Sequence, residues 1–183
     1  MRIEKLTQTY RATPKYIHFP LHPDTPAGGR TLEALFGAGS DVVRAKNAQM
    51  KALMEAEGLP YGTRTHTYNS RLAQELGIWA DTQSGGRAIH KALFKAYFVD
   101  NRNIHDRDVL LDVAEAVGLS RTDARAVLEK RSFKDAVDAD WRKSTHYGVT
   151  GVPTFVVGRA GVVGAQPYDV IERLLIEAGV PKR

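Results

Sequence analysis

Gly148-Val149-Thr150-Gly151-Val152-Pro153-Thr154-Phe155-Val156-Val157-Gly158 is the stretch on which the fold turns. A helical pattern carrying Trp141 ends near Tyr147 and runs into Gly148. After Pro153, the residues Thr154 to Val157 are β-branched or aromatic, so the spacing predicts a helix, a tight loop and a buried strand. Proline donates nothing to a sheet ladder and belongs at the first edge of such a strand. A loop with Gly148, Gly151 and Pro153 tolerates unusual backbone geometry, including a cis Val152–Pro153 bond. Further on, Gly158 to Gly161 reads as a turn and Val162-Val163 as a short return strand. Gln166-Pro167 opens a helix with Ile171, Leu174, Leu175 and Ala178 on one face, and Gly179 sits where a terminating glycine belongs.

Helix, proline loop, strand, hairpin, strand and helix is the order of the C-terminal half of a thioredoxin-type fold. Gly-Val-Pro-Thr-Phe at 151–155 followed by Gly-Ala-Gln-Pro at 164–167 resembles the DsbA-like thioredoxin family, in its FrnE-type group of disulfide oxidoreductases. A second segment carries the same resemblance. Tyr16-Ile17-His18-Phe19 is a strand candidate, followed by Pro20, Pro23 and Pro26 and then Gly29-Arg30. In the FrnE-type group a strand runs into an Asn-Pro-Asp-x-Pro loop and a Gly-Arg, and His22 stands here where asparagine is usual.

The composition bounds the answer. The 183 residues suit one domain, or one domain with an insertion, and suffice for a proper core. With 43% hydrophobic and 26% charged residues the chain has the balance of a soluble globular protein. Its net charge of +5 is scattered among acidic residues, which argues against a nucleic-acid partner. No apolar run approaches a membrane span and the start lacks a secretory signal, so a cytoplasmic location without a membrane partner is expected. The chain has no cysteine. Thiol–disulfide exchange needs a thiolate, so the resemblance meets an absence at its chemical centre.

In the family, a first strand leads to Cys-x-x-Cys at the start of a long helix. Ile3, Leu6 and Tyr10, at helical spacing within Arg2 to Arg11, then correspond to the tail of that helix. The expected fold is α/β: a thioredoxin-like domain over 1–36 and 132–183, with an inserted all-helical domain over 37–131 and the first strand and active-site turn missing. Two explanations stay open: Met1 is an internal methionine or misplaced start with the Cys-x-x-Cys segment upstream, or the chain is a degenerate paralogue.

The middle of the chain is helical throughout. Ser40 or Asp41 caps a helix bearing Val42, Val43, Met50, Leu53 and Met54, stopped by Gly58. Asn69 to Ala80 carries Leu72, Leu76 and Trp79. Ile89, Leu93, Phe94, Tyr97 and Phe98 make an apolar stripe expected in the core, the alternative for Leu93 to Phe98 being that part of it lines the substrate groove. Asp106 and Ser120 cap two further helices, and Phe133, Val137, Trp141 and Thr145 recur every four residues. The stretch His66 to Ala73 resembles the family's segment leading into the inserted helices; its plain reading is a cap for the helix that follows.

The resemblance implies a substrate-binding site at Thr150, Gly151, Val152 and Pro153, where Val152 presents its backbone to an extended peptide or a protein thiol/disulfide substrate by strand addition. The alternative is that Pro153 only shapes the loop. No catalytic residue is present and no cofactor is expected. A metal site is not expected either, because His18 and His22 are separated by Pro20, and His66, His90, His105 and His146 lack partners at ligand spacing. No Gly-x-Ser-x-Gly occurs. Two other functions are weighed. The glutathione-linked isomerases and transferases of the 2-hydroxychromene-2-carboxylate and kappa-class types share the fold and a Val-Pro loop. The third is a non-catalytic module that binds peptides on the Val152 edge. Loss of the first strand leaves two strands short of partners, so Tyr16 to Phe19 is expected poorly paired, displaced, or completed by a second copy in a homodimer.

Overall fold

A computed structural model of the chain describes residues 2–183. Met1, on which the reading of a misplaced start falls, lies outside the described residues. The packing divides the chain into two compact units: residues up to Leu21 together with Ala139–Arg183, and His22–Asp138. The sequence reading puts its boundaries at 36/37 and 131/132. The loop after Leu21 goes with the helices because Asn69 Nδ2 donates to Pro23 O at 2.9 Å and to Thr25 O at 3.1 Å.

The unit holding both termini is built on the α1 helix (Arg2–Thr9), a hairpin of strands β3 (Thr154–Val157) and β4 (Ala160–Val163), and the α9 helix (Tyr168–Glu177). Leu6 and Tyr10 meet Ile171 and Leu175 in its core, with Phe155, Val157 and Tyr168 packed against them. Leu6, Tyr10, Ile171 and Leu175 come from the two helical faces that the sequence spacing sets out. Arg11 N donates to Pro181 O at 2.9 Å and Arg183 N to Thr9 O at 3.0 Å, so the two ends of the chain are tied by backbone bonds. Tyr10 is 1% exposed and its hydroxyl donates to Glu172 at 2.9 Å. Burial, then the carboxylate beside it, push this phenol above its ordinary pKa.

The other unit contains the α2 helix (Leu32–Phe36), α3 (Ser40–Ala56), α4 (Arg71–Asp81), α5 (Ala88–Phe98), α6 (Arg107–Ala116) and α7 (Arg121–Lys130). The α8 helix (Lys134–His146) carries the chain from this unit to the other. A two-residue ladder joins β1 (Arg30–Thr31) to β2 (His66–Thr67), an element the sequence pattern does not announce. Leu72, Leu76, Ile89, Leu110, Leu111 and Leu128 centre the core.

The caps are local chemistry read directly from the chain. Asp106 Oδ1 accepts from the backbone of Asp108 and Val109, and Ser120 Oγ from Asp123. At α3 the expectation fails: Gly39 is the cap residue, and no side chain caps the helix. Phe94, expected in the core, is 62% exposed. On α5 the buried face runs through Ile89 and Ala96, which turns Phe94 outward.

Two glycines fix close backbone contacts in this unit. A Cβ at Gly86 would lie 1.7 Å from Ala80 O, and one at Gly62 would lie 2.0 Å from Val99 O. Neither obstacle is a flexible side chain, so the backbone itself must move. Gly86→Ala is expected to cost about 3 kcal/mol, the upper part of the range for overpacking. A chemical denaturation midpoint equal to that of the parent protein would refute it.

The strand expected at Tyr16–Phe19 is not formed. The segment is irregular, and the backbone N–H of His18 donates to Asp140 Oδ2 at 3.1 Å, with His18 Nδ1 2.9 Å from the same oxygen. A carboxylate from α8 thus occupies the backbone donor that a sheet neighbour would use. Among the described residues no helix is long and apolar enough to cross a membrane.

Candidate functional site

The loop Thr150–Pro153 begins where α8 ends. Gly148 takes φ +66°, a conformation that L side chains rarely adopt, and its N–H reaches Thr145 O at 2.9 Å. Val149 N bonds Ser144 O at 3.0 Å. These bonds close the helix and launch the loop. At its far end Thr154 Oγ1 donates to Gly151 O at 2.6 Å, and Gly164 N donates to Pro153 O at 2.7 Å. The Val152–Pro153 bond is cis. Thr150, Val152 and Pro153 are exposed and Gly151 half-buried. All four sequence-predicted site residues therefore lie on one short, well-bonded loop leading into β3.

The register of the hairpin decides what that loop can offer. Thr154 pairs with Val163, Phe155 with Val162, Val156 with Gly161 and Val157 with Ala160. Because Gly164 N bonds Pro153 O, the hydrogen-bonded pairs are 153/164, 155/162 and 157/160. Thr154 and Val156 then occupy the other kind of pair, with their N–H and C=O directed away from β4. Among the described strands β3 has β4 as its one neighbour. The outward groups of Thr154 and Val156 thus form an open edge, continuous with Val152.

The two faces of the hairpin differ. Phe155 and Val157 pack on the core with Leu6, Tyr10 and Ile171. On the opposite face Val156 and Val163 are 41% and 52% exposed. An extended segment lying along β3 would find backbone partners at its edge and apolar contacts on this face.

The Gly164-Ala165-Gln166-Pro167 motif also has a local role. Gln166 N donates to Gly164 O at 2.8 Å and its side-chain amide to Val163 O at 2.6 Å. The turn so formed presents Ala165 O and Gln166 O to Arg2 Nη1, at 3.0 and 2.8 Å. It anchors α1 to the hairpin.

The helical unit holds a cluster to which the sequence reading gives no role. Glu75 is fully buried. Its carboxylate accepts from Arg71 Nε at 2.9 Å, from Arg131 Nε at 2.8 Å and from Arg131 Nη2 at 2.6 Å. Arg71 also reaches Asp138 at 2.5 Å. Burial alone would raise the Glu75 pKa, but the hydrogen bonds from Arg131 and then Arg71 outweigh it and hold the carboxyl below its ordinary value. The spacing of Arg71 and Glu75, four apart on one helix, was the available signal. Arg131, from a different helix end, gave none.

Asn69 takes the plain reading: its Oδ1 accepts from Arg71 N at 2.9 Å at the start of α4. Among the described residues no group of three or more His, Cys, Asp or Glu side chains is placed to hold a metal ion.

Comparison with known proteins agrees with this architecture. A probable DsbA oxidoreductase of Streptomyces coelicolor, solved by crystallography, superimposes with a TM-score of 0.85 at 30% identity, over 97% of this chain and 82% of that one. The uncharacterized protein YwbO of Bacillus subtilis (strain 168) is 32% identical over 111 residues, 60% of this chain. The matched region spans 55% of that relative's length. The model of the DSBA-like thioredoxin domain matches residues 1–175. With its thioredoxin-type hairpin, proline loop and inserted helices, the chain belongs to the DSBA-like thioredoxin domain family.

Proposed function

We propose that this chain captures an extended peptide on the outer edge of β3, beginning at Val152, and that it does not by itself exchange disulfides. The observation that carries the reading is the open edge of Thr154 and Val156 continuing from the exposed Val152–Pro153 loop. Main-chain hydrogen bonds to such an edge supply affinity with little demand on sequence, and the apolar face at Val156 and Val163 favours alternating apolar side chains. The FrnE-type resemblance supplies the substrate class, an unfolded or extended protein segment. Without a cysteine the chain has no thiolate to attack or release a disulfide.

An open edge is also a template for a second copy, so weak homodimerisation through β3 is part of the proposal. Peptide and partner copy would then compete. The test is fluorescence anisotropy with a labelled, β-prone peptide made in cysteine and serine versions. Equal affinity for both, unaffected by a thiol-blocking reagent, is the expected result. Binding of the cysteine version alone, or displacement of the peptide by glutathione, would overturn it.

A further inference from the structure

A cleft of about 310 Å³ in the helical unit is bounded by α2, α3 and the segment that carries Tyr61 and Arg64. Its volume lies at the lower end of small-molecule sites. Leu32 and Val43 are buried in its lining, whereas Phe36, Met50 and Leu53 are 47%, 44% and 58% exposed. On α3 the lining residues Val43, Lys46, Asn47, Met50 and Leu53 stand at positions i, i+3, i+4, i+7 and i+10, which is one helical face. A helix ordinarily packs such a face on its neighbours, yet Val43 is the one residue of α3 that is buried.

The walls of the cleft are tied together. Asn47 Nδ2 donates to Arg64 O at 2.8 Å, Tyr61 Oη donates to Asn47 Oδ1 at 3.3 Å, and Leu32 N donates to Thr65 O at 2.9 Å. These bonds join α2 and α3 to the segment with Arg64, so the cleft is preformed.

Its charge is unbalanced. Two cations, Lys46 and Arg64, line it and no carboxylate does. Arginines elsewhere in this unit are met by acids: Arg71 and Arg131 by Glu75, Arg102 and Arg121 by Asp112. Among the described residues the half-buried Arg64 has no such partner. Its guanidinium lies 4.3 Å from the ring centre of Tyr97, and its Nη2 donates to His66 O at 3.1 Å and to Tyr97 Oη. All of those acceptors are neutral. Nε is buried inside the wall without a partner, whereas Nη1 is not buried and makes no hydrogen bond, so Nη1 is the donor left for a ligand. Lys46 Nζ is 5.2 Å from the ring centre of Phe36, another lining residue. A partly desolvated cation is ordinarily paired with an anion.

We infer that this cleft binds a small monocarboxylic acid with an aliphatic or aromatic body, its carboxylate on Arg64 Nη1 and Lys46 and its body against Phe36, Met50 and Leu53. Filling the cleft removes those three side chains from water and supplies the missing counter-charge in one step. A singly charged head suits this lining better than a phosphate, whose further charge and oxygens would be left facing carbon. A protein partner would need about 800 Å² of surface on each side, whereas the open apolar residues are gathered in a cleft of small-molecule size. The site is independent of the β3 edge.

The test is calorimetric titration of the full chain with octanoate, and separately with 1-octanol, which lacks the charge, and acetate, which lacks the body. Saturable one-to-one binding of octanoate is expected, with both controls at least about tenfold weaker. Leu53→Glu, which puts a carboxylate into the lining, should abolish binding. Lys46→Gln should weaken it about threefold, the scale of an exposed ion pair, and Arg64→Gln about tenfold. Lys46 and Leu53 are exposed, so their replacement leaves the fold intact, and an unchanged circular dichroism spectrum checks this. The Met50 methyl signal in an NMR spectrum should move along the same saturation curve. No saturation by about 10 mM octanoate, a range weaker than most specific sites, overturns the inference. Octanol binding as tightly as octanoate does so too, as does undiminished binding by Leu53→Glu. A dimer that Leu53→Glu dissociates and that takes up no octanoate would give the face to a second copy and overturn it as well.

Discussion

Glu75→Ala lowers the stability of the protein by about 3 kcal/mol, the lower end of the cost of breaking a buried ion pair. The wild-type carboxylate is fully buried and accepts three guanidinium hydrogen bonds, from Arg71 in its own helix and from Arg131 in another part of the chain. Truncation leaves two cations facing each other. The Arg71 side chain is only 12% exposed and cannot move to solvent, whereas that of Arg131 is 38% exposed and can, which is why the lower end applies. Glu75→Gln keeps the shape and one acceptor and should cost roughly half as much. Urea denaturation of both variants measures this, and a loss under about 0.5 kcal/mol in the alanine variant would contradict it.

The same carboxylate sets a pH dependence of known sign. Its folded-state pKa is depressed, so its stabilisation is fully present above the unfolded-state value of about 4.3 and disappears as the pH falls through the lower, folded value. The advantage of wild type over Glu75→Gln is therefore expected to hold at neutral pH and to shrink below about pH 4. An advantage that grows on acidification would mean that the carboxyl is not ionised in the folded state.

Val156→Pro is the substitution with the largest expected effect on peptide capture. Val156 and Gly161 form a pair without mutual hydrogen bonds, so the Val156 N–H serves no bond to β4. Proline removes that donor and puts a ring on the open side. An edge strand tolerates proline where its N–H would face outward, so the hairpin should survive. Peptide affinity is expected to fall at least about tenfold, from the lost backbone bond and the steric block together. Phe155→Pro makes the informative contrast, because Phe155 N–H faces Val162 and its loss should unfold the hairpin. If Val156→Pro binds peptide as tightly as wild type, the edge is not the site.

Much of the terminal unit is legible in the chain because its signals are local. The run Thr154 to Val157, the turn glycine at 158 and the spacing of Ile171, Leu174 and Leu175 each specify one element, and each element forms. The Tyr16–Phe19 segment shows where local reading stops. Its residues favour a strand, but a strand needs a neighbour, and here the Asp140 carboxylate takes the backbone donor of His18. The helical unit shows the same division. Asp106 and Ser120 were readable as caps because a cap is made within a few residues. Phe94 was misplaced because apolar residues at helical spacing mark a stripe without saying which edge of it faces out. In the Arg71–Glu75–Arg131 cluster the spacing of Arg71 and Glu75 signals their pair, but Arg131 lies 56 positions from Glu75 and nothing in its own segment foretells the contact. The four loop residues 150–153 were found through resemblance, and the open edge beside them appeared only with the strand register.

The measurement that tests peptide capture most directly is amide hydrogen exchange of the full chain, followed residue by residue with and without a β-prone extended peptide. The outward amides of Thr154 and Val156 should exchange slowly only in the complex, while those of Phe155 and Val157, already bonded to β4, should change little. Protection of this alternating kind is what strand addition at β3 predicts. Saturating peptide that leaves Thr154 and Val156 exchanging at their free rates would contradict it.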